Sequence, residues 1–188
     1  MDLHLNPNNQ LNGDTDVLKM IELIGTKKSV KKNTPVLCEG DKCDFFFFVL
    51  SGVFRAYRFV EDKEVTIGFS FPGDIDTCPY SYVNNLPSLD IIQALTDSTI
   101  IKVNKADYLE YIRKNKVPDI TDQLLANYIE ILMQRLIAFR ALTAEVNYIN
   151  LLARNPKEVS KIQLTHIASY LGVSLERISR IRKKNALI

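Results

Sequence analysis

Residues 163–185, QLTHIASYLGVSLERISRIRKKN, divide into a helix over 163–170, a turn at Leu171-Gly172-Val173 and a second helix over 174–185. Gly172 stands where the turn needs positive φ, and Ser174 offers the side-chain oxygen that caps a helix start. Ile167, Leu171, Val173, Ile178 and Ile181 are the apolar positions that lock two helices at a steep angle, and Ala168 is small enough to let them close. The outward side of the second helix then carries Glu176, Arg177, Arg180, Lys183 and Lys184. Arginine can grip guanine through two donors, glutamate can accept from cytosine, and lysine suits phosphate. This is the pattern of a helix-turn-helix whose second helix reads DNA. The competing reading is an αα-hairpin with a solvated basic face. The DNA-facing set comprises Gln163, Thr165, Ser174, Glu176, Arg177, Arg180, Arg182, Lys183 and Lys184.

Charge follows the same division. The 188 residues carry a net charge of +2. Residues 139–188 hold 9 Lys+Arg against 3 Asp+Glu, net +6, while residues 1–138 hold 15 against 19, net −4. A basic segment on an acidic body is an electrostatic footprint of nucleic-acid binding. No run of 18 apolar residues exists to span a membrane, and residues 1–13 are polar, without a signal-like apolar core. Cys38, Cys43 and Cys78 are too few and scattered for a disulfide framework or a zinc site, and read as free thiols of a cytoplasmic protein.

Upstream, residues 14–25 read as a short amphipathic helix with Leu18, Ile21, Leu23 and Ile24 on one side. Asp14 or Thr15 caps its start and Gly25 ends it. Residues 28–104 read as strands, with turn signals at 39–41, 51–52, 61–63 and 72–74. The apolar run 45–50, then Ser51-Gly52, then 53–59 reads as a hairpin. Turns about every ten residues predict an antiparallel roll or barrel.

Residues 105–155 read as helical. A short piece over 105–115 stops before Pro118, and Asp119 or Thr121 caps a long helix. Leu124, Tyr128, Ile131, Arg135, Ala138 and Leu142 form a heptad seam; Leu125, Ile129, Leu132, Leu136 and Phe139 repeat the spacing one residue on. One stripe covers the chain's own β domain and the other meets a second copy, the first being assigned to the dimer seam. A helix buried within a monomer is the alternative.

The segments EGD (39–41), VLSGVFR (49–55), FPGD (71–74), IQAL (92–95), HIASYLGVS (166–174) and ISRI (178–181) resemble the Crp/Fnr superfamily of bacterial transcription regulators, the last two most like its Bacteroidetes-type members. The resemblance covers about residues 14–184. It implies an α+β fold: an antiparallel, cyclic-nucleotide-binding-like β-roll (jelly roll) over 1–117, a dimerisation helix over 118–141 and an all-α, winged-helix-like DNA-binding domain over 142–188. It also implies a homodimer on palindromic double-stranded DNA, with RNA polymerase as a further partner. Glu176 and Arg180 fall where the family presents base contacts, whereas Leu175 stands where an Arg is common.

The family's phosphate cassette needs a Gly-Glu pair and an Arg followed by a small hydroxyl residue. Gly73 and Asp74 fall on the first pair, Ser88 and Leu89 on the second, and no Lys or Arg lies between Lys63 and Lys102. A cyclic phosphate buried there would lack its cation. The expectation is therefore a degenerate effector pocket at Gly73, Asp74, Ser88 and Leu89 that does not take cAMP or cGMP, with no cofactor. Asp74 and Asp76 read as solvated turn residues. Tyr80, Tyr82 and Tyr128 read as packing or surface rather than pocket walls. An iron–sulfur sensor would need four thiolates and a haem sensor an axial ligand. His4 lies in a polar tail, and His166 is expected to face solvent or phosphate. No nucleophile elbow, metal cluster or phosphate loop suggests an enzyme. The leading expectation is a sequence-specific, dimeric DNA-binding regulator; the alternative is a small-molecule sensor with weak or vestigial DNA binding.

Overall fold

The computed structural model describes residues 15–185. Asp14 and His4 lie outside them. Helix α1 (Thr15–Ile24) buries Val17, Met20 and Ile21, and the Gly25 N–H closes it on the Ile21 carbonyl at 2.9 Å. Leu23, expected on that apolar side, is 73% exposed instead.

Eight strands follow: β1 (Thr26–Val30), β2 (Pro35–Leu37), β3 (Phe45–Ser51), β4 (Phe54–Val60), β5 (Lys63–Ser70), β6 (Ile75–Asp76), β7 (Ile91–Ala94) and β8 (Ser98–Asn104). They form two four-stranded antiparallel sheets, ordered β1-β8-β3-β6 and β2-β7-β4-β5. A short helix, α2 (Pro79–Asn84), interrupts the β region with Pro79 in its first turn. Phe47, Val49, Phe54, Ile92, Ala94 and Ile100 fill the space between the sheets. The antiparallel roll expected from the turn spacing is present, though the sheets do not close into a barrel.

The hairpin expected at Ser51-Gly52 is not there. β3 and β4 belong to different sheets, so this turn carries the chain across the roll. Gly52 makes the crossing possible: its φ is +93°, and a Cβ would lie 2.8 Å from the Ser98 Cα. Phe45, Phe46, Phe47 and Val49 are all buried, so β3 is covered on both faces and its alternation gave no hint of sheet membership. The true hairpin is β4–β5, closed by Glu61-Asp62 with φ of +47° and +62°, the two positive values of a tight primed turn.

The rest is helical: α3 (Lys105–Asn115), α4 (Thr121–Ala141), α5 (Ala144–Arg154), α6 (Pro156–Val159), α7 (Leu164–Leu171) and α8 (Leu175–Asn185). Asp119 receives the Thr121 N–H at 2.9 Å, capping α4 as expected. The long helix breaks where Leu142 turns extended and Thr143 caps α5 through the Val146 N–H at 3.3 Å. Leu142 therefore leaves the seam to which it was assigned. Among the described residues no strand follows Asn104; the segment 155–162 is α6 and a turn, not a wing. None of the described helices is long and apolar enough to cross a membrane.

Candidate effector cavity and nucleic-acid interface

Helix α4 lies across the β2-β7-β4-β5 sheet, and a cavity of about 190 Å³ remains between them. Its walls are mostly apolar, with Met20, Phe46, Phe69, Ile92, Leu124 and Ile131 among them. Tyr128 and Arg135 also reach it from α4, and Tyr82 from α2. Leu124, Tyr128, Ile131 and Arg135 thus face the chain's own roll and Ala138 packs toward α5, correcting the assignment of this stripe to a dimer seam. The second stripe is the outward one: Ile129, Leu132, Leu136 and Phe139 are exposed. The two stripes are chemically alike, so spacing alone could not orient the helix. Tyr82 and Tyr128 are cavity walls, against the expectation of plain packing, whereas Tyr80 is exposed.

The polar groups of the cavity are mostly committed. Asp74, expected in solvent, is buried; it accepts the Phe71 N–H at 2.9 Å and pairs with Arg154 of α5 at 3.1 Å. Asp90 pairs with Arg58 at 2.8 Å. Asp76, also expected in solvent, accepts from the Ser70 hydroxyl at 2.5 Å and the Thr77 N–H at 2.8 Å. Burial pushes its carboxyl up to about 6, against the lowering effect of those two bonds. Burial likewise raises the Tyr128 hydroxyl, and the Asp76 charge adds to it.

Arg135 differs from the other cations. Its Nη1 reaches only the Ile67 carbonyl at 3.4 Å, and among the described residues it forms no ion pair. It lies over Gly68, where a Cβ would sit 2.9 Å from Nη1. The cation-free stretch 64–101 therefore misrepresents the cavity, because its arginines arrive from α4 and α5, across the fold. Charge plotted along a strand region cannot register them.

Ser88 and Leu89 do not line the cavity. The Ser88 hydroxyl closes a local turn, donating to the Asp90 carbonyl at 2.8 Å and accepting the Asp90 N–H at 3.0 Å. Its backbone pairs with Asp41 and Gly40, and Leu89 is exposed. Of the four expected effector residues only Asp74 lines the cavity; Gly73 supplies the turn before β6.

At the other end, α7 closes at Gly172 with φ +64°, the Val173 N–H bonds the Ala168 carbonyl at 3.0 Å, and Ser174 caps α8 by accepting the Arg177 N–H at 3.3 Å. Ile167, Leu171 and Ile178 are buried between the helices. Gln163, Thr165, Ser174, Glu176, Arg177, Arg180, Arg182, Lys183 and Lys184 are all exposed. Lys184 is bound to Glu145 of α5 at 2.9 Å. His166 does not stand free: burial holds its pKa below the usual value, and it lies within electrostatic reach of Arg55 and Glu64 on the β4–β5 hairpin.

The helical unit docks on the roll. Val53, Phe69, Phe71 and Leu95 of the roll share one apolar cluster with Tyr148, Leu151, Ile167 and Ile178. The Ser169 hydroxyl accepts the Thr66 N–H at 3.0 Å and donates to the Glu64 carbonyl at 3.1 Å. Tyr170 packs against Phe69 and Phe139 with ring centroids 5.4 and 5.5 Å apart.

An eight-stranded roll, a long covering helix and a terminal helix pair are a distinctive arrangement, and comparison with known proteins bears on it directly. The cyclic nucleotide-binding domain family matches residues 27–115. The whole chain shares its fold with several solved structures. It is similar to FixK2 of Bradyrhizobium japonicum (TM-score 0.69, 18% identity, covering 86% of this chain and 84% of that one). It is similar to the c-di-GMP responsive global regulator CLP of Xanthomonas campestris (0.67, 16%, 93% and 92%). A transcriptional regulator of the crp/fnr family from Eubacterium rectale is also similar (0.65, 21%, 95% and 86%). No curated protein matches the chain by sequence. The structural neighbours are thus Crp/Fnr-type transcription regulators.

Proposed function

We propose that this Crp/Fnr-type protein is a sequence-specific DNA-binding transcription regulator, not an enzyme, and that it acts as a homodimer in the cytoplasm. The observation that carries this reading is α8: capped at Ser174, anchored through Ile178 and presenting Glu176, Arg177, Arg180, Lys183 to solvent. A helix so placed can enter the major groove, with Arg180 and Glu176 reading base edges and its neighbours meeting phosphate. Two such helices on a two-fold axis read half-sites one helical turn, ~34 Å, apart. The exposed stripe of α4 supplies the self-complementary surface for that axis. RNA polymerase is the further partner that the resemblance implies.

The regulator does not use cAMP or cGMP. Asp74, at the place of the ribose-binding carboxylate, is held by Arg154; Ser88, at the place of the phosphate-binding cation, is spent on its own turn. The cavity of about 190 Å³ is also smaller than the roughly 300–1,000 Å³ typical of ligand pockets.

Selection of duplexes from a random pool with the purified chain tests the reading. The expected outcome is a palindromic consensus whose binding weakens steeply with salt. Recovery of no consensus, or equal affinity for random duplexes, would sink it.

A further inference from the structure

We infer that the cavity under α4 is a binding site for a small monocarboxylic acid with an apolar body, anchored by the Arg135 guanidinium. The inference rests on the regulator reading only in giving that regulator an effector; binding itself is measured without DNA.

Four features select this class of ligand. The first is an unused cation. The Arg135 guanidinium offers five donors in a planar fork, of which one is engaged, at 3.4 Å. Asp76 lies within its electrostatic reach but makes no ion pair with it, so the donors of the fork stay open, and a carboxylate matches the fork with two parallel bonds. The room for the guanidinium comes from Gly68, the residue of β5 that leaves it space beside the cavity.

The second is the rest of the charge. Asp74, Asp76 and Asp90 all border the cavity. Arg154 and Arg58 answer two of them and Arg135 faces the third, Asp76, without a direct bond; the count is even, which favours the ligand that adds the least negative charge. A phosphate monoester, with nearly two charges, would bring more negative charge than a carboxylate beside the same three aspartates. The third is the wall. Met20, Phe46, Phe69, Ile92, Leu124 and Ile131 ask for an aliphatic or aromatic body. The fourth is size: about 190 Å³ accepts a small organic acid and not a nucleotide.

Tyr128 lies two helical turns before Arg135 on the same face of α4, about 10 Å away along the axis. Among the described residues its hydroxyl has no hydrogen-bond partner. An acid held at Arg135 lies along this face with Tyr128 beside its far end. Arg135 also sits 6.0 Å from the Tyr170 ring of α7, so a ligand that draws the guanidinium inward acts beside the contact that docks the helical unit.

The test uses the purified full chain and a panel of monocarboxylates: butanoate to decanoate, benzoate and phenylacetate. Each is paired with its primary amide, and cAMP is a separate arm. Ligand-observed NMR and thermal shift are the readouts. The expected result is that one or more acids bind and raise the melting temperature while the matching amides do not, and that Arg135→Gln weakens the acid about tenfold or more. Arg135→Lys retains part of the binding, because the charge stays and the fork is lost. The inference is overturned if no acid binds, if acid and amide bind alike, or if Arg135→Gln leaves acid affinity unchanged. DNA selection on the same preparation separates the two readings: loss of DNA binding with acid binding intact removes the regulator and leaves the site.

Discussion

Arg154 on α5 and Asp74 in the turn before β6 form an ion pair at 3.1 Å, with side chains only 15% and 8% exposed. The guanidinium also lies 5.2 Å from the Phe71 ring. Eighty residues apart in sequence, the two groups fasten the C-terminal helices to the roll beside the cavity. The pair is thereby a clasp between the helical unit and the roll.

Removing one partner strands the other charge in a low-dielectric setting. Arg154→Met should therefore lower stability by about 3 kcal/mol. Adding Asp74→Asn should recover part of the loss, because the stranded charge is then gone. Denaturant melts of the four-member cycle give the coupling; additive effects would mean that the pair contributes no clasp.

Ser169 is a second clasp, with one hydroxyl serving both the Thr66 N–H and the Glu64 carbonyl. Thr66 is buried, so Ser169→Ala leaves its amide without an acceptor. The expected cost is about 1–2 kcal/mol. Because the lost bonds lie between helical unit and roll, proteolysis at the Leu142-Thr143 break should quicken more than global unfolding does. Equal change in both would place Ser169 in general stability alone.

The Asp76 carboxyl, at about 6, binds its proton more tightly in the folded than in the unfolded chain. Its contribution to stability is therefore full below about pH 4 and lost as pH rises through 6. The groups facing it are the Ser70 hydroxyl, the Thr77 amide, Asp74 and Arg135. Asp76→Asn keeps an acceptor for Ser70 and removes the charge. Relative to the parent, the variant should gain of order 2 kcal/mol between pH 4 and pH 8. A stability difference flat with pH would show that Asp76 titrates normally.

Local chemistry was legible and tertiary placement was not. The Gly172 turn and the Ser174 cap are set by neighbours a few residues away, so their residue types suffice. The Asp119 cap, too, depends on a contact two residues long. The crossing at Gly52 and the inward turn of the Leu124 stripe depend on which sheet lies opposite. The same holds for the cavity: a scan for cations along 64–101 is blind to Arg135 and Arg154, which fold in from helices 34 and more residues beyond its end. A signal was present in Gly68, a strand glycine with a close neighbour to accommodate, and in Arg135, a cation inside an apolar seam.

The outward stripe of α4 repeats at heptad spacing, Ile129, Leu132, Leu136 and Phe139, and each is more than a third exposed. Leu132→Glu with Leu136→Glu puts charge into the centre of that face without entering the core, so it should yield a folded monomer by sedimentation. Leu124→Ala, which touches the cavity, should lower stability and leave the oligomeric state unchanged. A parent chain that is monomeric at micromolar concentration would remove the dimer from the proposed function.

On α8 the exposed cations are not equivalent. Arg180 has no ion-pair partner among the described residues, whereas Lys184 is held by Glu145 at 2.9 Å. If Arg180 reads a base edge, Arg180→Ala should cost roughly 1–3 kcal/mol on the selected site and flatten preference at one base pair, with little loss on random duplex. Lys183→Ala should weaken all sequences alike and reduce the salt slope by about one. Lys184→Ala should do less, because Glu145 already neutralises that charge; Glu145→Gln, which frees it, should strengthen binding and steepen the slope. Fluorescence anisotropy across a salt series measures all four. A uniform loss in Arg180→Ala would move that side chain from base to phosphate, and an unchanged slope in Glu145→Gln would place Lys184 away from the DNA.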